Sequence, residues 1–167
     1  INHADIRTRF IFDDMPVRGL HVRLENVWEH IAGQKHYPAA IRQALGELLA
    51  AGALLSSNLK NEGTLIVQVQ GQGRLKMLVV EATSDNTVRA DIRDDESLTD
   101  LLGSNSVFVL THQPKDAEPW QGVVPLEGDN IAQMLMNYVK RSEQLDTYIT
   151  LAASEHVSGG LLVQRLP

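Results

Sequence analysis

The sequence predicts an α+β fold: mixed, largely antiparallel sheets packed around a buried central helix at about residues 38–59. Three observations carry that reading. After Pro38 the chain runs AAIRQALGELLAAGALLSSNL, and beyond Glu47 this stretch is apolar on every side for two helical turns. A surface helix keeps a polar stripe, so a helix without one has to be enclosed. Alternating, β-branched segments on either side of Gly71-Gln72-Gly73 read as a hairpin. Strand-like segments also stand towards both ends of the chain with isolated helices between them, which suits hairpin connections better than a doubly wound sheet.

Taken in order, Val17–Leu24 alternates, with Leu20, Val22 and Leu24 on one face and His21 and Arg23 on the other. Val27 and Ile31 lie four apart on one helix face, and Gly33 supplies a stop. Pro38 suits the first turn of the central helix, whose Ala50, Ala51, Gly52 and Ala53 would let other backbone approach closely. The hairpin strands are Leu65–Gln70 and Arg74–Ala82. Further strands are expected at Thr87–Arg93, Ser106–His112, Trp120–Val124, Thr147–Ala152 and Leu161–Arg165. A short helix is expected near Ser97–Leu102. A longer one, near Asp129–Arg141, shows the stripe Ile131, Met134, Leu135, Tyr138 and Val139, with Asp129 as its N-cap. The segment WQGVVPLEGDN, Trp120–Asn130, reads as an edge strand ended by Pro125. Its functional alternative is an exposed apolar strand that pairs with a partner.

Composition narrows the function. No repeat or low-complexity tract divides the 167 residues, so one domain is expected over 1–167. Fifteen Lys and Arg against 21 Asp and Glu leave a net charge of −6, which disfavours nucleic acid as the main partner. The longest apolar run, Leu48–Leu55, is far short of the roughly 20 residues of a membrane-spanning helix. Ile1–Phe10 holds no apolar signal-peptide core, so the cytoplasm is the expected location. There is no cysteine, which excludes disulfides, thiolate metal sites and cysteine nucleophiles within this chain.

Motifs for catalysis are weak. Gly71-Gln72-Gly73 lacks the GKS or GKT ending of a phosphate loop and leads into a strand, so a turn is the better reading. The six histidines show no i, i+4 pair of the kind that binds zinc on a helix. No serine sits in a GxSxG elbow, and Asp13-Asp14 and Asp94-Asp95 fall where carboxylates serve as turn caps.

Several modest strings add up in order and spacing: Val17-Arg18-Gly19, Tyr37-Pro38, Gly46-Glu47-Leu48-Leu49, Leu59-Lys60 and Gln68-Val69-Gln70-Gly71-Gln72-Gly73. Trp120–Gly128, Arg141-Ser142-Glu143-Gln144-Leu145 and Gly159-Gly160-Leu161-Leu162-Val163-Gln164 complete the set. Together they resemble the N-terminal domain of the bacterial 33-kDa heat-shock protein family, from about Phe10 to Pro167. The resemblance implies an ATP-independent, redox-regulated holdase chaperone that binds unfolding client proteins and tends to form homodimers. It also implies a separate C-terminal module in which four cysteines, in CxC and CxxC pairs, hold zinc. Those cysteines are not in this chain, so the resemblance assigns it the chaperone core, with no cofactor of its own. Asn61, Glu62, Gln72, Ala90 and Asp146 depart from the family pattern, and the stretches Ile92–Ser97 and Ser154–Gly159 are short against it.

A holdase needs accessible apolar area of several hundred Å², worth roughly 25 cal/mol per Å² before entropy is subtracted. The candidate client-contact residues are Leu65, Val67, Val69, Leu75, Met77 and Val79 on one presumed face. Ile66, Leu78 and Val80 form the other, should the first face pack on the central helix. Two other readings stay open here: a small-molecule enzyme with its site near Gly71–Gly73 or Gly122–Gly128, and a dimerisation scaffold without client affinity.

Overall fold

A computed structural model describes residues 5–34, 36–57, 62–72, 75–83, 88–94, 106–125, 130–143 and 145–167. Among them the order of elements is β1 (Ile6–Ile11), β2 (Val17–Leu24), α1 (Asn26–Gln34), α2 (Ala39–Ser56), β3 (Gly63–Gln70) and β4 (Leu75–Thr83). There follow β5 (Val88–Asp94), β6 (Val107–Pro114), β7 (Trp120–Pro125), α3 (Ile131–Glu143), β8 (Thr147–Ala153) and β9 (Ser158–Arg165). The strands form two sheets. Sheet A has the order β1-β2-β9-β8, and sheet B the order β5-β4-β3-β6-β7. Every described pairing is antiparallel.

Helix α2 lies between the sheets and touches both, meeting β2, β8 and β9 on one side and β3, β4 and β5 on the other. Leu45, Leu48, Leu49, Ala50, Ala51 and Leu54 are fully enclosed. Close approach depends on glycines. A side chain at Gly52 would press on Val80 of sheet B, and one at Gly160 would strike Leu54 and Leu151 on the sheet A side. Near the start of α2, Gly46 leaves room for Ala153 and the Trp28 ring. The buried Ser158 hydroxyl donates to the Gly46 carbonyl, and Trp28 Nε1 donates to the Ser154 carbonyl at 2.9 Å.

Strand β1 has no counterpart in the sequence reading, yet it secures two helix ends. The Asp5 carboxylate, one residue before β1, accepts from the backbone N–H groups of Glu25 and Asn26 at 2.8 and 2.9 Å. That satisfies donors at the N-terminus of α1 and places negative charge at the positive end of its dipole. At the opposite end of β1, Arg9 Nη2 donates to the carbonyl of Ser57, just past α2. A cation there complements the negative end of the helix.

Other boundaries move for local reasons. The expected Asp129 cap lies outside the described residues. Asn130 does the capping, its Oδ1 accepting from the Gln133 N–H at 3.0 Å, and α3 starts at Ile131. Strand β9 begins at Ser158, three residues early, because Gly159 and Gly160 pair fully with Arg23 and Val22 of β2. The short helix expected at Ser97–Leu102 lies outside the described residues.

Leu48→Asp would leave an unpaired charge in the enclosed part of α2 and should cost well over about 3 kcal/mol. A large drop in thermal unfolding temperature is the expected result, and an unchanged transition would contradict the enclosure of α2. Asp5→Ala should cost about 1 kcal/mol through the lost cap, read as a shifted denaturant midpoint.

Candidate functional site

The residues singled out from sequence divide differently from the expected faces. In the β3–β4 pair Val67 stands opposite Val80, and Val69 opposite Leu78. Directly opposed residues of an antiparallel pair share a face, so odd positions of β3 go with even positions of β4. Leu65, Val67, Val69, Leu78 and Val80 therefore all point towards α2 and are buried. Ile66, Met77 and Val79 lie on the outer face and stay partly exposed. Grouping Met77 and Val79 with Leu65, Val67 and Val69 assumed a pairing of like parity, which the register replaces. A bulge between Leu75 and Met77 shifts the β4–β5 register as well. The Leu75 side chain lies outside the described residues. Around the outer trio stand Gln68, Gln70, Glu81 and, on the edge strand, the exposed Val123.

A second apolar surface, on the outer face of sheet A, arises only from strand pairing. Phe10 opposes Gly19, Gly19 opposes Val163, and Val163 opposes Tyr148, one row across all four strands. The Phe10 ring occupies the space above Gly19, where any side chain would collide with it. Phe12 meets Phe10 edge-on, with ring centroids 5.8 Å apart. Val17, Leu161 and Val163 are half-buried, and Tyr148 is 59% exposed. Ile6, Ile11, Phe12 and Met15 add exposed apolar area along β1 and its turn. The signal that could have revealed this face is the alternation of Ile6, Thr8 and Phe10 with Arg7 and Arg9.

The row runs into an open groove of about 740 Å³ beside α3. One wall is the helical stripe Gln133, Met136, Asn137 and Lys140. Val17, Tyr148, Val163 and Arg165 supply the sheet side. Of the glycine segments considered for a small-molecule site, Gly122 sits beneath the Tyr138 ring, while Gly73 and Leu126–Asp129 lie outside the described residues.

Few ionisable groups are perturbed. His112 is 6% exposed, its Nε2 has no hydrogen-bond partner, and its ring stands edge-on to Trp120 at 6.1 Å. Burial lowers its pKa below the usual 6.5, since a charged imidazole there would lose its hydration. Burial also lowers the Arg7 pKa, helped by the neighbouring charge of Arg9, and raises that of Glu47, against a hydrogen bond from Gln43. Among the described residues no three His, Cys, Asp or Glu side chains converge in a metal-binding arrangement, and the chain has no cysteine. A zinc ion of the cysteine-bound kind therefore finds no fitting ligand set here. No helix of the described residues is long and apolar enough to cross a membrane.

A family model described as Hsp33 protein matches residues 5–167. The chain belongs to the Hsp33 family. A 33 kDa chaperonin of Neisseria meningitidis serogroup A is 79% identical over the whole chain, and one of Chromobacterium violaceum is 47% identical over the same extent. The chain spans 58% of the first protein and 59% of the second. The crystal structure of the 33 kDa chaperonin from Thermotoga maritima matches 98% of the chain with a TM-score of 0.84. At 22% identity that match shows the shared α+β fold, over 61% of the solved chain. Membership of Hsp33 agrees with the resemblance read from the strings above.

His112 gives a test by pH. The folded state holds a neutral imidazole, whereas the unfolded chain takes up a proton near pH 6.5. This group's contribution is therefore constant above that pH and falls as the pH drops, until the folded form itself is protonated. Denaturant midpoints of the native chain should decline from pH 7 to pH 5. Those of His112→Leu should decline less, and parallel curves would contradict the assignment.

Proposed function

We propose that this chain is the client-binding core of an ATP-independent holdase chaperone, acting in the cytoplasm on unfolding proteins and without catalysis. The single observation that carries the reading is the apolar row Phe10, Val163 and Tyr148, open to solvent on the outer face of sheet A. The inner sheet faces pack on α2 and α3, so client contacts fall to the outer faces. On sheet B these are Ile66, Met77 and Val79. Leu65, Val67, Val69, Leu78 and Val80 serve instead as the packing that keeps the sheet in place. Exposed apolar area of this kind marks an interaction surface, and a net charge of −6 helps a loaded complex stay dispersed.

Redox control and zinc belong, in this proposal, to a cysteine module outside these 167 residues, because the chain itself has no cysteine. Self-association into a homodimer is part of the same reading. It is supported by edge strands β1, β8, β5 and β7, each paired on one side only among the described residues, and sedimentation velocity checks it.

Light scattering of a heat-unfolding test protein is the deciding measurement. The chain should suppress aggregation at near-equimolar ratio, and peroxide should change nothing. Tyr148→Asp removes an exposed contact worth about 1 kcal/mol and should raise the ratio needed for half suppression by about fivefold. Its thermal unfolding should match the native chain. No suppression by the native chain would defeat the reading.

A further inference from the structure

The groove beside α3 carries charge that apolar client capture alone does not require. Its apolar lining comes from Val17, Met136, Tyr148 and Val163, beside the polar Gln133 and Asn137. Lys140 of α3, Arg165 at the end of β9 and Asp146 before β8 are the charged residues of its lining. Arg165 faces Asp146 at 3.6 Å, with both side chains largely in water. Lys140 pairs with none of the described carboxylates and is exposed. Among the described residues, a cation without a carboxylate partner thus borders a groove of mixed apolar and polar lining, on a chain with six more acidic than basic residues. A cleft with an excess of one sign of charge raises the local concentration of oppositely charged groups, and with Asp146 set against Arg165 the excess here is the single charge of Lys140. The groove also continues the row from Phe10 through Val163 to Tyr148.

We propose that this groove selects client segments in which an aromatic or large aliphatic residue is flanked by Asp or Glu. The apolar side chain rests on Val17, Met136, Tyr148 and Val163, while the flanking carboxylate faces Lys140, with Arg165 as the weaker second cation. This rests on the holdase reading and adds a client preference to it. Segments flanked by Lys or Arg meet the same apolar lining against a like charge, so the discrimination comes as much from repulsion as from attraction.

Fluorescence anisotropy with short labelled peptides tests it, each peptide sharing a central Phe-Leu pair flanked by two Asp or by two Lys. At low salt the acidic peptide should bind about fivefold more tightly, the upper range for an exposed ion pair. The gap should close as salt shortens the screening length. Lys140→Glu should reverse the ranking, and Lys140→Gln should abolish it, both with native thermal unfolding. Equal affinities, or a ranking untouched by Lys140→Glu, would overturn the proposal. Self-association lost in Lys140→Glu, without any peptide preference, would identify the occupant as a second copy of the chain and overturn it too. Should the native chain suppress aggregation yet bind neither peptide, the groove assignment fails and the holdase reading stands. Absence of suppression removes the holdase reading itself.

Discussion

A helix with no polar side has to be covered all round, and this requirement governs the molecule. Helix α2 presents Leu45, Leu48, Leu49, Ala50, Ala51 and Leu54 in every direction, all without solvent contact. A single sheet covers one side of a helix, so two sheets are needed, and each spends one face on the task. Glycines at 46, 52 and 160 set how closely the layers meet, because a Cβ at each would press on a neighbouring side chain. The enclosure needs neither outer face, and parts of both stay exposed, Tyr148 on sheet A and Val123 on sheet B among them. Apolar side chains there add nothing to the core, so their presence points to function more than to folding.

Strand β1 links stability to that function. Asp5 and Arg9 secure the ends of α1 and α2, while Phe10, next to Arg9 on the strand's other face, begins the exposed row across sheet A. The same short stretch therefore secures two helix ends and presents apolar surface, the surface proposed to meet clients. Gly19 makes the arrangement possible by giving its own side-chain volume to the Phe10 ring. A larger residue there would displace the ring and disturb both roles together.

Charge and apolar area work against each other in a protein of this kind. A chain that shows apolar area to capture clients risks associating with itself, and a net charge of −6 opposes that at long range. In the groove Asp146 faces Arg165, which leaves Lys140 as the charge that runs opposite to the chain's net sign. Membership of the Hsp33 family supplies the functional setting, and the chain covers a little under three-fifths of the relatives it matches.

What the sequence determined by itself was local. The unbroken apolar character after Glu47, the alternation of β2, β3 and β4, and the pairing of β3 with β4 as a hairpin lie within short windows. The periods of helix and strand can be read directly in such windows. The family strings were legible for the same reason, each being a short run in fixed order. Only the tertiary structure decided which strand faces meet. A strand's alternation names two faces but not the partner's parity, so placing Val67 beside Val80 instead of Val79 depends on the hairpin's register. The row Phe10, Gly19, Val163 and Tyr148 draws on positions up to 153 residues apart. No window of sequence contains it, because hydrogen bonds between strands, and not neighbours along the chain, bring those side chains together.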